Sequence, residues 1–182
     1  MEIRRRLLTK KHSILPAGYQ QVQYLERNKD YGGPYCTVNA SVADGDIVTV
    51  VAENLDSFTN EQGFMGTQSI CEWYYSYDKL YCWPNTNILK NSETYGPPDT
   101  IIATVQSIYT ITYIGVYKLN TYLFYGRIYS LQITDSTNTK KHDYIPCYRR
   151  ADNEAGFYDI VTDTFYPNAA SDGSSWSVGN SV

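Results

Sequence analysis

At 182 residues the chain has the length of one domain, whose core can bury roughly 70% of the surface its unfolded form exposes, so neither a disulfide framework nor a structural metal is required. Nineteen tyrosines and three tryptophans give the large apolar faces with polar tips expected of half-buried strands, a soluble and β-rich composition. The net charge of -4 divides unevenly: five basic residues against one acid give +4 over residues 1–12 and leave -8 for the rest, and this mildly acidic body argues against a nucleic-acid partner.

The leader MEIRRRLLTKKHS carries Arg4, Arg5, Arg6, Lys10 and Lys11. Leu7 and Leu8 are the only apolar residues after the arginines, where a secretory signal needs about 7 to 15, so no signal peptide is expected. Nothing in the chain approaches the roughly 18 consecutive apolar residues of a membrane-spanning helix, and no membrane partner is expected. With Ile3, Leu7 and Leu8 as its apolar anchors, the segment 1–14 reads as a tether that docks on an acidic protein surface; simple disorder is the alternative. The domain proper is expected over residues 15–182, because Leu15-Pro16 opens the β pattern.

From Gly18 onward the hydrophobic period is two, with no long helical stretch. Val22 and Tyr24 alternate first, then Cys36, Val38 and Ala40, while Ile47 to Ala52 is apolar enough for burial on both faces. EWYYSYDKLYCW predicts two strands around a turn at Asp78 and Lys79. Ile108, Ile114 and Val116 carry the pattern on. In TYLFYGRIYSLQIT the apolar face runs Tyr122, Phe124, Ile128 and then changes parity to Leu131 and Ile133, the mark of a β-bulge. Gly/Pro punctuation separates the runs at Gly32-Gly33-Pro34, Asp44-Gly45, Asn85 to Asn91 and Gly96-Pro97-Pro98. Many short strands without intervening helices predict two antiparallel sheets packed face to face.

The stretch HDYIPCYRRADNEAGFYDIVTDTFYPN mixes five acids with arginines and tyrosines. A glycosidase needs two carboxylates about 5 to 10 Å apart, one with a raised pKa; Asp152 and Glu154 instead lie in a polar loop beside Arg149 and Arg150, which lower carboxylate pKa values. Asp152, Asn153, Glu154 and Asp159 also miss the calcium-loop spacing, so no metal, cofactor or catalytic residue is assigned and the loop reads as a turn with local ion pairs. His142 follows Lys140-Lys141 and reads as a surface loop residue without a partner. Cys36, Cys71, Cys82 and Cys147 form no metal-ligand spacing and read as small buried thiols; Cys71 and Cys82 can meet across a hairpin, a pairing the sequence leaves open. Trp73 and Trp83, with Tyr74, Asn85 and Asn87, are the candidates for stacking on sugar rings, against packing at a core or a subunit interface.

Two ends of the chain carry a resemblance. Phe124, Gly126, Ile128 and Tyr129, then Asp143, Pro146, Cys147, Tyr148 and Arg149, then Gly156, Tyr158 and Asp159, then Phe165, Tyr166 and Asn168 follow the order F-x-G-x-I-Y, D-x-x-P-C-Y-R, G-x-Y-D, F-Y-x-N. LPAGYQQVQYLE is similar to the opening L-P-x-G-Y-x-x-V-x-Y-L/I-E. Together they resemble the concanavalin A-like, laminin-G-type jelly-roll domains of phage virion proteins and gut-bacterial surface proteins. The chain departs from these at RNKDYGGPYCTV, where a Gly-x-Gln-Tyr-Ile stretch is usual, and no motif aligns over residues 55–105. The resemblance implies a jelly roll whose first and last strands lie close together. It implies a non-enzymatic virion role, in capsid decoration or a head or tail fibre, at the virion surface, with virion proteins or further copies of the chain as partners. A carbohydrate-binding adhesin facing bacterial, host or mucus glycans is the alternative. Within the closing stretch, Pro146 and the Arg149–Glu154 loop are expected to turn the chain, and Asp159 to accept hydrogen bonds from turn backbone or Arg149.

Overall fold

The computed structural model describes residues 14–27, 32–55, 62–66, 71–76, 79–82, 98–105, 108–118 and 121–182. The described residues contain sixteen strands and no helix. In chain order these begin with β1 (Tyr19–Gln21), β2 (Leu25–Arg27), β3 (Cys36–Val42) and β4 (Ile47–Asn54). Next come β5 (Gln62–Gly66), β6 (Cys71–Ser76), β7 (Lys79–Cys82), β8 (Asp99–Thr104) and β9 (Tyr109–Ile114). Then follow β10 (Val116–Lys118), β11 (Thr121–Leu123), β12 (Gly126–Thr134) and β13 (Lys140–Arg149). The last three are β14 (Glu154–Asp159), β15 (Thr164–Pro167) and β16 (Ser177–Val178).

Nine strands form one sheet, with β8, β4, β12, β13, β14 and β15 side by side and β1, β2 and β16 laced into it. Seven form the second, running β3, β9, β5, β6, β7 with β11 and β10 beside β5. Every pairing is antiparallel except β11 on β5. One core joins the sheets: Val48, Val50, Ala52, Ile128, Leu131, Ile133 and Phe157 from the first cluster with Cys36, Val38, Ala40, Val42, Met65, Ile111 and Ile114 from the second. The fold is all-β and has the layering of a sandwich.

The alternation of Cys36, Val38 and Ala40 is realised in β3, extended by Val42, with every second residue exposed. The parity change in β12 is a bulge: Ile128 faces Ala52 of β4 while Ser130 faces Val51, two steps against one. β4 is a correction. Val48, Val50 and Ala52 are buried, but Ile47, Thr49 and Val51 are only half-buried, so one face meets the core and the other is partly open. Ile108 precedes its strand and is exposed, and Val22 and Leu25, not Val22 and Tyr24, are the buried pair of the opening segment. Lys79 belongs to β7 opposite Ser76, so it is a strand residue and not part of the turn.

Burial on both faces falls on β13 and β14 instead. Their core-side residues Tyr144 and Phe157 join the main cluster, while Ile145, Cys147 and Tyr158 pack on the other face with Leu15, beneath Tyr19, Ile160 and Phe165. Pro146 is also a correction, since it does not turn the chain. It sits mid-strand opposite Phe157, and its carbonyl accepts from the Val22 N–H on the side away from β14. The missing proline N–H therefore points to the junction where β13 passes from β12 to β1, and breaks no β14 ladder bond.

The ends of the domain are tied together. Tyr19–Gln21 pair with Arg149–Cys147, Leu25 and Glu26 pair with Val178 and Ser177, and Val22 bridges Ser181. Gln23 N–H donates to Asn180 O at 2.9 Å and Val182 N–H to Gln21 O at 3.1 Å. The guanidinium of Arg27 is buried nearby, donating to the carbonyls of Phe124 at 2.8 Å and Gly32. Gly33, at φ +87°, leaves it room: a Cβ there would lie 2.9 Å from Arg27 Nη2.

Candidate functional site

The leader residues Arg4, Arg5, Arg6, Lys10 and Lys11 lie outside the described residues, as does Trp83. The backbone of Trp73 lies in β6 opposite Cys82; its side chain is outside the description. Cys71 faces Gly66 of β5, so Cys71 and Cys82 are not direct cross-strand partners. Cys36 and Cys147 are buried free thiols, each pushed up to about 12 by burial.

The acid-rich stretch is a set of closed polar contacts. β13 and β14 pair from Arg149 opposite Glu154, leaving a four-residue turn in which Asn153 adopts φ 59° and donates its N–H to Arg149 O at 2.9 Å. Asp152 receives Arg149 through both Nε and Nη2, at 3.0 and 2.6 Å, and this hydrogen bonding lowers its pKa. Asp143 takes Lys140 Nζ at 2.7 Å and Gln132 Nε2 at 3.2 Å. Asp163 accepts from the Tyr158 hydroxyl, which that bond and burial push up to about 12.

Asp159 is the centre of the stretch. It is fully buried and accepts from the Asp143 N–H at 2.9 Å, the Val161 N–H at 3.1 Å and the Thr162 hydroxyl at 2.8 Å. The expected backbone donors are there, but Arg149 is not: it is committed to Asp152. His142 replaces it, with Nδ1 at 2.7 Å from Asp159 Oδ2, in strand β13 and stacked on Tyr144 at 5.5 Å and 8°. His142 is therefore neither in a loop nor without a partner. Burial alone would push the Asp159 carboxyl up, but its four hydrogen bonds outweigh that and hold it at about 2, below its ordinary 3.8. Asp152 and Asp159 are thus both held ionised. Among the described residues no group of three or more His, Cys, Asp or Glu is placed to hold a metal ion.

Next to this polar turn is a cavity of about 300 Å³, lined by Tyr148, Asn153, Glu154, Ala155, Ser175, Trp176 and Val178. It forms where the β13–β14 turn meets the segment leading into β16. Trp176 is its most buried wall, 5% exposed, edge-on to Phe157 with centroids 6.0 Å apart. Gly115, at φ +94°, lets the indole in, since a Cβ there would sit 2.6 Å from Trp176 Cη2. The indole lies beside the Cys36 thiol, but its Nε1–H makes no well-formed hydrogen bond in the described structure. Tyr148 enters the sequence pattern only as part of D-x-x-P-C-Y-R, and Ser175 and Trp176 fall in no motif. The available signal was a single tryptophan inside the turn-rich run ASDGSSWSV, where no strand period explains a large aromatic.

Comparison with protein-family models gives no match, and neither the curated proteins nor the solved structures give one.

Proposed function

We propose that the chain is a non-enzymatic virion structural protein. In this reading it is a concanavalin A-like jelly roll acting in capsid decoration or a head or tail fibre, docked on other virion proteins through its basic leader. The observation that carries the proposal is the lacing of β1 and β2 against β13, β12 and β16. A leader joined to β1 pulls on a strand hydrogen-bonded to β13 and tied to the C-terminal segment, so tension is borne by ladder hydrogen bonds and not by a frayed terminus. The resemblance of Phe124–Asn168 to virion jelly rolls supports the same reading, and so does the engagement of most carboxylates of the closing stretch in structural contacts. Mass spectrometry of particles purified from cells expressing the gene tests it. The chain is expected among the stoichiometric components; particles free of it would overturn the proposal.

A glycan-binding role is the second reading, favoured by the cavity between Tyr148 and Trp176, because aromatic faces and planar polar groups are what a saccharide ring requires. A glycan array tests it, with silence across the array the contrary result. Both roles are compatible in one particle-bound domain.

A further inference from the structure

We infer that the cavity between the β13–β14 turn and the segment before β16 is a subsite for one neutral pyranose ring of a glycan. This rests on the glycan-binding reading and assigns it to Tyr148, Asn153, Glu154, Ser175 and Trp176 instead of the β6–β7 hairpin.

The half-buried carboxylate on this wall accepts no hydrogen bond from a described residue, unlike nearly all the carboxylates elsewhere whose side chains are described. Glu26 and Glu53 hold Arg127, Asp46 holds Lys141 and the Ala43 N–H, and Asp135 caps its own turn. Asp143, Asp152, Asp159, Asp163 and Asp172 are likewise engaged. Of the carboxylates whose side chains are described, only Asp44 and Glu154 accept no hydrogen bond, and Asp44 is exposed whereas Glu154 is half-buried on the cavity wall. Half-buried Tyr148 and exposed Asn153 and Ser175 line the same cavity, together with Trp176, whose buried Nε1–H makes no well-formed hydrogen bond in the described structure. A buried or half-buried polar group without a protein partner costs stability unless water or a ligand satisfies it, and on this wall that applies to the Glu154 carboxylate and the Trp176 indole N–H.

Charge and size narrow the ligand. Glu154 disfavours an anion. Arg149, directly opposite Glu154 in the strand register, disfavours a second cation. What remains is a neutral molecule rich in hydroxyls, to which a carboxylate and a carboxamide bind as planar bidentate partners beside the aromatic lining of Tyr148 and Trp176. About 300 Å³ is at the low end for ligand pockets, room for one ring and not an extended chain. The turn is already fixed, by Arg149 on Asp152 and by Asn153 N–H on Arg149 O, so little ordering cost falls on binding.

The chain has three tryptophans, so three indole N–H resonances report separately on the two candidate sites. The full chain is titrated with the methyl glycosides of glucose, galactose and N-acetylglucosamine and followed by proton–nitrogen correlation spectra. The Trp176 resonance is expected to move saturably with at least one probe, and Glu154→Gln or Tyr148→Phe to weaken that affinity by about ten-fold. Both substitutions keep shape and leave the remaining resonances in place. Movement confined to Trp73 and Trp83 would overturn the assignment while leaving a glycan-binding protein. Movement of Trp176 with unchanged affinity in both variants would overturn it as well. If no resonance moves with any of the three probes, the subsite falls, and the glycan array decides the broader reading independently.

Discussion

His142 Nδ1 lies 2.7 Å from Asp159 Oδ2, and the same carboxylate receives two backbone N–H groups and the Thr162 hydroxyl. One buried side chain thereby ties β13 to the turn that joins β14 to β15. Removing it leaves the Asp143 N–H, itself buried, without its acceptor. Asp159→Ala should lower stability by about 1 to 3 kcal/mol, or roughly 2 to 4 °C in Tm per kcal/mol for a chain of this size. Thermal and denaturant unfolding measure it, and an unchanged midpoint would count against the assignment.

The same carboxyl sets an acid limit. Its folded pKa, about 2, is below its ordinary 3.8, so the folded state favours the ionised form. That contribution, roughly 2 kcal/mol, is fully present above about pH 4 and is lost as pH falls through about 2. Urea unfolding at stepped pH should show a steeper acid loss in the wild type than in Asp159→Asn. Parallel curves would show that the carboxylate carries no such coupling.

Gly156 is packed against backbone, which cannot swing aside. A Cβ there would meet Tyr166 O at 2.1 Å, across the β14–β15 ladder. Gly156→Ala should therefore cost about 1 to 3 kcal/mol, as overpacking does. Gly18→Ala, with open space around its position, serves as the control and should be nearly silent in the same melting experiment.

Cys36 and Cys147 are buried, and their pKa values of about 12 leave almost no thiolate at neutral pH. Both are expected to resist an aromatic disulfide reagent in the native protein and to react fully in denaturant. Mapping the labelled peptides checks this, and rapid native labelling of either residue would show that its side of the sheet opens.

What the sequence disclosed follows from how local each signal is. The alternation through Cys36, Val38 and Ala40 and the parity change between Ile128 and Leu131 are properties of single strands, so both were legible. The motif glycines Gly126 and Gly156 have a plain physical reason, since a Cβ at either would strike carbonyl oxygen of the neighbouring strand, at 2.2 Å from Glu53 O and 2.1 Å from Tyr166 O. The half-open face of β4 is not legible in the sequence because Ile47 and Val51 are favoured in strands on either face, and composition alone does not say which face is covered. The covered outer face of β13 depends on Leu15 and Tyr19 from the far end of the chain. The partner of His142 arrives through the β13–β14 register, and the cavity joins residues 148–155 to 175–178; no periodicity encodes either meeting.

Whether the chain is a virion component held by its leader is decided most directly by the protein content of purified particles. With Arg4, Arg5, Arg6, Lys10 and Lys11 changed to Gln, or residues 1–14 deleted, particles should assemble without the chain, while the purified variant melts at the wild-type temperature. Particles that carry either variant at the wild-type copy number would contradict the tether.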